Sequence, residues 1–421
     1  MVGRLTCAGI LVVALAGCGG SSGEHLAPAS MTSLVKIGTF GDDLAFLRAH
    51  TDVIVLASPD GRAQVAVAPD YQGRVMTSSA DGLDGASYGY IHRAGILTGA
   101  RQPHMTVLGG EDRFWLGPEG GQYALYFPPG AAFDTDHWQV PEPIDWGGWP
   151  VMAKSAHDAT FQQAMTVVNH AGTRFTLRVD RTIRLLDRDA VIRVLGQAPG
   201  PGTRVVAYES DNRITNTGAA AWKNETGLVS IWILGMYRPA PRTTIVVPFV
   251  DGPESERGPK VNDAYFGAIA PERLHIGDGV VFFRGDGKKR GKIGVPKPRA
   301  RDVAGSYDPD SHVLTLVKYT LPEHATDYVN SMWEQQARPY GGDVVNSYND
   351  GPLAPGAPPL GPFYEIESSS PAAALKPNAT WQHVHRTFHL QGPEAELDAI
   401  ARAVLGVSLA QITSALPLGA S

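Results

Sequence analysis

The sequence predicts a mainly β protein with a short helix near each end of its folded body. Its 421 residues include 48 glycines and 32 prolines. These residues separate many short runs rich in β-branched and aromatic side chains, which is typical of strands joined by tight turns. Only two stretches instead place apolar residues at helical spacing. Such a density of short strands favours a sandwich or barrel over alternating βαβ units.

The two helical stretches lie at the ends of the body. Residues 40–50 place Leu44 and Leu47 on one face, and residues 393–405 begin with an acidic turn and repeat apolar residues at helical spacing. Residues 53–79 are predicted to form a strand, a tight turn and a second strand. The strand-like runs that follow are 105–108, 123–127, 161–168, 175–186, 191–195, 205–208, 228–234, 244–248, 280–284, 313–319, 363–367 and 381–390.

The first residues have the order of an export signal. Arg4 supplies a positive charge, residues 8–15 are apolar, and the small residues Ala16 and Gly17 precede Cys18. This order resembles the bacterial lipoprotein signal, in which cleavage precedes the cysteine and a lipid is attached to it. An ordinary secretory signal with a cysteine near its cleavage site is the alternative.

We therefore expect three parts in the chain. Residues 1–17 are predicted to be a lipoprotein signal peptide, residues 18–33 a flexible tether from lipidated Cys18, and residues 34–421 a single domain. The domain would be lipid-anchored in a bacterial cell envelope, on its periplasmic or outer face. Both cysteines, Cys7 and Cys18, precede the domain, which excludes a disulfide framework and a cysteine metal site from it.

Composition and missing motifs exclude several functions. The net charge of −6 and the charged fraction of 19% give no reason to expect a nucleic-acid partner. No run of 18 or more apolar residues follows the N-terminus, so no membrane span is expected in the body. The patterns of serine hydrolases (GxSxG), zincins (HExxH) and P-loop proteins are missing, which argues against those classes. We expect no cofactor and no metal.

The most informative stretch is residues 340–390. We expect a polar loop over residues 340–351, followed by two antiparallel strands over residues 363–367 and 381–390. Side chains alternate along a strand, so Glu365 and Glu367 share one face, as do the histidines of the partner strand.

The catalytic candidates in this stretch are Glu365, Glu367, His383 and His385. Two carboxylates separated by ~6.6–6.8 Å along a strand raise the pKa of one of them, which suits general acid–base chemistry. That spacing also lies near the lower limit of ~6.5 Å for inverting glycosidases. The alternatives are a solvated face, a glutamate pair neutralised by arginine, or a transition-metal site, although the glutamate that follows a cupin HxH motif is missing.

Three further segments supply candidate substrate-binding residues. Each has a structural alternative: a turn-rich edge with ion pairs for residues 109–121, core tryptophans for residues 136–149, and an Asx turn for residues 346–351. Residues 252–301 are rich in Gly, Pro, Lys and Arg. Their basic cluster, residues 285–301, is predicted to be a solvated loop, and anion binding is the alternative. The candidates that could stack on or hydrogen-bond a sugar are Arg113, Trp115, Glu119, His137, Trp146, Trp149, Asn346, Tyr348, Asn349 and Asp350.

These segments resemble the galactose mutarotase-like superfamily, and more closely a family of uncharacterised bacterial lipoproteins within it. The resemblance is carried by APDYQGRVMTSSADG, GGEDRFWLGPEGGQYALYFPPG, DNRITNTG, LVSIWILGMY, NSYNDGP and YEIESSSPAAALKPNATWQHVHRTFHL, which together cover most of residues 53–392. It implies a β-supersandwich of two large antiparallel sheets, with sugar bound in a concave cleft on one of them.

The resemblance also implies a catalytic base. The motif IESSSP at residues 366–371 is similar to the mutarotase pattern around the general base, which makes Glu367 that base. The mid-chain histidine that acts as the acid in mutarotases has no counterpart after Asn216, and His383 or His385 are the expected substitutes. We therefore expect a carbohydrate-active protein, epimerase-like or glycoside-processing. A non-catalytic carbohydrate-binding protein or a structural envelope lipoprotein is the alternative.

Overall fold

The computed structural model describes residues 38–353 and 356–417. The predicted signal peptide, Cys18 and the tether lie outside the described residues. Within the described part, no helix combines the length and the apolar character that a membrane crossing requires.

Antiparallel strands make up most of this part of the chain, with short helices between them. The helices are α1 (Phe40–Arg48), α2 (Arg93–Leu97), α3 (Glu142–Asp145), α4 (Arg188–Leu195), α5 (Glu254–Arg257), α6 (Glu394–Leu405) and α7 (Leu409–Ser414). The strands are β1 (Ile54–Ala57), β2 (Gln64–Ala68), β3 (Arg74–Ser79), β4 (Arg113–Gly117), β5 (Val151–Lys154), β6 (Asp158–Val168), β7 (Arg174–Leu185), β8 (Arg204–Asn216), β9 (Ser230–Tyr237), β10 (Thr244–Pro248), β11 (Leu274–Ile276), β12 (Val280–Arg284), β13 (Gly291–Pro296), β14 (Val303–Asp308), β15 (Val313–Tyr319), β16 (Asp343–Asn349), β17 (Tyr364–Ser369) and β18 (Thr380–Gln391).

These strands form two large sheets and one small one. The ten-stranded sheet has the order β11-β12-β10-β14-β15-β18-β8-β7-β6-β5, and the five-stranded sheet has the order β13-β16-β17-β9-β4. Strands β1, β2 and β3 form the third sheet. Neighbouring strands pair antiparallel in both large sheets, so the mainly β fold of large antiparallel sheets predicted from the sequence is confirmed.

The two large sheets pack face to face around apolar cores. Strand β7 alternates buried and more exposed residues along its whole length, because side chains of a strand point to opposite faces. Its inner residues pack against inner residues of β4 and β9. Inner residues of β16 and β17 pack in the same way against β10, β12, β14 and β15. Burial of both inner faces holds the five-stranded sheet against the larger one.

The helices cover surfaces that the sandwich leaves apolar. Helix α1 begins at Thr39, whose hydroxyl accepts a hydrogen bond from the Asp42 backbone at 3.1 Å. Its buried residues pack on the small sheet. Helices α6 and α7 bury their apolar faces on the outer side of the ten-stranded sheet. The helices expected near both ends of the body are therefore confirmed.

Several local predictions are wrong. Residues 363–367 do not pair with residues 381–390: β17 pairs with β16 and β9, and β18 pairs with β15 and β8, in the other sheet. The polar loop expected over residues 340–351 contains β16, and the basic loop expected over residues 285–301 contains β13. Polar side chains led to these two loop predictions, because both segments belong to a sheet whose one face lines an open cleft. Residues 191–195 belong to α4, and residues 105–108 and 123–127 form no strand.

Candidate functional site

The outer face of the five-stranded sheet forms the floor of an open cleft. Alternate residues of each strand point into it, as the strand period requires. Trp115 and Arg113 come from β4, and Glu365 comes from β17. The remaining floor residues are Trp232, Leu234, Met236, Lys292 and Tyr348.

Loops complete the walls of the cleft. Trp138 stacks on Tyr126 with ring centroids 6.2 Å apart, and Phe266 meets the Tyr348 ring edge-on at 6.0 Å. The other wall residues are Met105, Glu119, Arg290, Leu360 and Phe363. The cleft therefore combines aromatic rings with carboxylates and cations within one open concavity.

The segment that carries Phe266 is fastened to the sheet by Asp343. The Tyr265 hydroxyl donates to Asp343 at 2.6 Å, and the Asn262 amide donates to the same oxygen at 3.2 Å. A side chain at residue 294 would occupy the place of this carboxylate, because a Cβ there would lie 2.0 Å from it. Gly294 thus allows the contact. Burial raises the pKa of Asp343 to about 6, and the hydrogen bond from Tyr265 partly offsets this.

Two glutamates of β17 lie at different depths in the cleft. Glu365 lines it and forms a salt bridge with Arg113 at 3.0 Å. Glu367 is fully buried beneath it, where one oxygen, Oε2, accepts hydrogen bonds from Lys292 at 3.1 Å and from the Trp232 indole at 2.9 Å. The other oxygen of Glu367, Oε1, has no hydrogen-bond partner among the described residues.

Burial and neighbouring charges set the proton affinities in the cleft. Burial raises the pKa of Glu365 from its ordinary 4.5 to about 8, Glu367 adds to the rise, and Arg113 opposes it. Burial also raises the pKa of Glu119. Burial alone would lower the pKa of Lys292, but the three glutamates outweigh it and raise this pKa instead. Glu365 consequently holds a proton at neutral pH while Glu367 faces a charged amine.

The expectation that His383 and His385 share a pocket with the glutamates is wrong. Both histidines lie on the inner face of β18, fully buried between the two sheets. The Ser368 hydroxyl, on the inner face of β17, bonds His383 Nε2 and His385 Nδ1 at 2.8 Å each. Burial lowers the pKa of His383 to about 3 and that of His385 to about 4. The thickness of the five-stranded sheet separates these rings from the cleft.

Other buried polar groups surround the histidines. Arg181 and Asp112 form a fully buried salt bridge at 2.6 Å. The Glu111 carboxylate accepts hydrogen bonds from Ser78 and Tyr208 and contacts His389 Nε2 at 3.1 Å. We call this set the inter-sheet polar cluster: Glu111, Asp112, Arg181, Ser368, His383, His385 and His389.

The remaining predicted binding residues divide between cleft and scaffold. Arg113, Trp115, Glu119 and Tyr348 line the cleft. Asn346 lies at its edge, where its amide donates to the Tyr265 hydroxyl at 3.2 Å. Asn349 and Asp350 are fully buried and close the surrounding loops through hydrogen bonds.

Three predicted residues of the tryptophan-rich segment lie outside the cleft. Trp149 is buried in the core against Phe114, His137 is on the surface with Asp134, and Trp146 is not among the cleft-lining residues. Residues 136–149 were predicted to form a cleft wall, and Trp138 is the residue of this segment that lines the cleft. The catalytic roles assigned to Glu365 and Glu367 stay predictions.

Sequence reasoning missed part of the cleft. Trp232 lies in a run that was predicted only to be a strand. Lys292 and Arg290 lie in the cluster predicted to be a solvated loop, and Phe266 lies before that cluster. The alternation of Ser230, Trp232 and Leu234 along β9 indicates that these side chains share one face of the strand. The same face carries Arg113 of β4, which pairs with Leu234.

The fold and this cleft define an antiparallel β-sandwich protein with an open site of aromatic and charged side chains. The chain belongs to the family of unknown function DUF6786, whose model matches residues 38–416. A search of curated proteins gave no match.

Several solved structures resemble this fold at low sequence identity. The Slr1438 protein from Synechocystis is 13% identical, with 82% of this chain and 98% of that chain covered and a TM-score of 0.48. A putative aldose 1-epimerase from Escherichia coli K12 is 12% identical, with 82% and 100% covered and a TM-score of 0.47. A galactose mutarotase-like protein from Lactobacillus casei is 12% identical, with 80% and 100% covered and a TM-score of 0.44.

Proposed function

We propose that this protein binds a carbohydrate in the cleft of the five-stranded sheet. Trp115, Trp138 and Phe266 line the cleft with aromatic carbon that can contact the apolar C–H side of a sugar, while Glu365 and Arg290 offer partners for its hydroxyls. Stacking surfaces and charged hydrogen-bonding groups within one concavity are what a saccharide needs, since it is apolar on its faces and polar at its edges.

We further propose that the bound sugar undergoes proton transfer at Glu365. The observation that carries this proposal is the difference between the two glutamates of β17. Glu365 lines the cleft and has a raised pKa, whereas Glu367 is held by Lys292 and Trp232 and keeps one oxygen free. Such a pair suits an acid and a base acting on one ligand.

Anomer conversion is the reaction that uses this pair most simply. Glu365 donates its proton to the ring oxygen. Oε1 of Glu367, which is buried beneath the cleft and has no partner among the described residues, accepts the proton of the anomeric hydroxyl once the side chains above it move apart. The bond from the anomeric carbon to the ring oxygen breaks and a carbonyl forms; reclosure on either face reverses both transfers. Epimerisation or glycoside processing would use the same two groups.

The test compares Glu365→Gln with the wild type. Binding of a panel of aldoses is measured by calorimetry, and anomer exchange by magnetisation-transfer NMR. We expect Glu365→Gln to lose about 10²-fold or more of the exchange rate while it keeps sugar binding. Glu209→Gln, on the outer face of the ten-stranded sheet, is the control and should behave as the wild type. An unchanged exchange rate in Glu365→Gln would rule out proton transfer by this residue.

A non-catalytic carbohydrate-binding protein is the second candidate. The Arg113–Glu365 salt bridge favours it, because an engaged carboxyl can serve recognition alone. The same experiment separates the two functions: the wild type would then bind sugar without accelerating exchange, and Glu365→Gln would only weaken binding.

We also propose that the folded body is anchored by a lipid on Cys18 in a bacterial cell envelope. Support comes from the charged, apolar and small residues that precede this cysteine. The full chain should incorporate labelled palmitate and sediment with membranes, and Cys18→Ala should do neither. Membrane sedimentation of Cys18→Ala without label would contradict the anchor.

A further inference from the structure

We infer that the carbohydrate of this cleft is an acidic one, carrying a single carboxylate that binds Arg290. This inference rests on the proposed function and adds the class of ligand. It follows from the salt bridges of the cations that line the cleft and from the buried hydrogen-bond donors there that lack acceptors.

Arg290 is a cation of the cleft without a protein anion. Arg113 pairs with Glu365 and Lys292 pairs with Glu367. Among residues 38–353 and 356–417, no salt bridge or side-chain hydrogen bond involves the Arg290 guanidinium, whose carbon lies 3.6 Å from the centre of the Phe266 ring. The ring fixes the plane of the guanidinium, so its donor edge is held in place within the cleft wall.

Among the described residues, four buried donors around the cleft lack acceptors. They are Nε of Arg113, Nε of Arg290 and the indole nitrogens of Trp115 and Trp138. A buried donor without an acceptor destabilises a protein, which favours a partner rich in acceptors that reaches these donors when it binds. A carboxylate only accepts hydrogen bonds, whereas a sugar hydroxyl must also donate.

The salt bridges of the cleft favour a carboxylate at Arg290. Arg113 and Lys292 each contact a glutamate of β17, whereas Arg290 forms no salt bridge among the described residues. A carboxylate matches this cation, whereas a phosphate monoester carries about −1.5 to −2 charges at neutral pH and would add repulsion near Glu367.

Two kinds of acidic sugar supply this chemistry. A uronic acid carries the carboxylate on its ring, and N-acetylmuramic acid carries it on a lactyl side chain. Calorimetry with D-glucuronate against D-glucose, and with N-acetylmuramate against N-acetylglucosamine, distinguishes the two sources. We expect one acid to bind about tenfold or more tightly than its neutral counterpart.

Arg290→Gln tests the assignment of the carboxylate site. This variant should lose the preference for the acid, so that the acidic and the neutral sugar bind to it within about threefold of each other. Lys289→Gln, which removes an exposed charge one residue away, should retain the preference. Arg290→Lys keeps the charge and should retain part of it, which provides a second readout if Arg290→Gln is poorly folded.

Three other results of these binding measurements would contradict the inference or the proposed function. Equal binding of acidic and neutral sugars overturns this inference and leaves the proposed function standing. Tighter binding of glucose 6-phosphate than of glucuronate overturns the choice of a monoanion. If none of these sugars binds the wild type, both the inference and the proposed function fail.

Discussion

The two faces of β17 place ionisable groups in opposite situations. The outer face presents Glu365 to an open cleft, with cations nearby and unpaired donors around it. The inner face presents Ser368 to His383 and His385, which are sealed between two sheets. Residues next to one another in sequence thus differ in access to ligand, because the strand period sends them to opposite sides.

The comparison separates ligand binding from structural stabilisation. On the outer face, a ligand that enters the cleft can contact charged side chains and form hydrogen bonds with them. On the inner face, the inter-sheet polar cluster joins the two sheets through hydrogen bonds and one buried salt bridge. We therefore expect mutations of the inner face to change stability and mutations of the outer face to change ligand binding.

The largest effect is expected for Arg181→Met. Loss of the guanidinium leaves the fully buried Asp112 carboxylate without its cation, which typically costs about 3–5 kcal/mol of unfolding free energy. Urea denaturation measures this loss. Arg184→Met is the control, because Arg184 lies on the outer face of the same strand with its side chain 50% exposed; it should cost below about 1 kcal/mol. Equal losses in both variants would contradict a special role for the cluster.

A second effect is acid sensitivity caused by the inner-face histidines. The pKa values of His383 and His385 are lowered to about 3 and about 4 in the folded protein, below the ordinary 6.5 of the unfolded chain. Stability is therefore full above pH 6.5 and falls as the pH drops towards 4. From pH 7 to 5, His383 should account for about 2 kcal/mol.

Urea denaturation of His383→Gln between pH 7 and 5 measures the contribution of this histidine. The difference in unfolding free energy between wild type and variant should shrink as the pH falls, because the variant has no imidazole to protonate. A difference that stays constant with pH would show that His383 does not titrate on unfolding.

The smallest effect, and the one of opposite sign, is expected at Glu365. Its pKa is raised to about 8 in the folded protein, so its contribution to stability is full below pH 4.5 and falls as the pH rises towards 8. One proton changes stability by at most about 1.4 kcal/mol per pH unit. Glu365→Gln should therefore gain about 1 kcal/mol of stability relative to the wild type from pH 5 to 6.

A calorimetric or urea titration of both proteins across this range measures the relative gain. Glu209→Gln again provides the control, since it removes a carboxyl from the outer face of the ten-stranded sheet. A relative loss of stability with rising pH would mean that Arg113 dominates and that Glu365 is ionised at neutral pH.

The sequence was sufficient for the local pattern but not for the partners of each strand. Alternation correctly separated Glu365 and Glu367 from Ser368, and short strands between glycines and prolines correctly indicated a β-sandwich. Alternation cannot tell which strand lies beside β17, because that depends on contacts between residues far apart in the chain. The histidines of β18 were therefore placed beside the glutamates, when they lie in the opposite sheet.

The cleft was predicted in part for the same reason. Arg113, Trp115, Glu119 and Tyr348 were recognised because each combines an aromatic or charged side chain with a glycine-rich or amide-rich setting. Lys292 and Arg290 were missed because a run of basic residues is usually solvated. Only the pairing of β13 with β16 brings these cations to the glutamates.

The shared hydroxyl of Ser368 has one more consequence, for the placement of hydrogens. It contacts a ring nitrogen of each histidine, and it has a single proton of its own. If both rings donated, that proton would have no acceptor; if both accepted, one contact would oppose two lone pairs. One imidazole must therefore donate and the other accept. Because the contacts use Nε2 of His383 and Nδ1 of His385, the two neutral rings carry their proton on the same nitrogen: Nε2 in both if His383 donates, and Nδ1 in both if His385 donates.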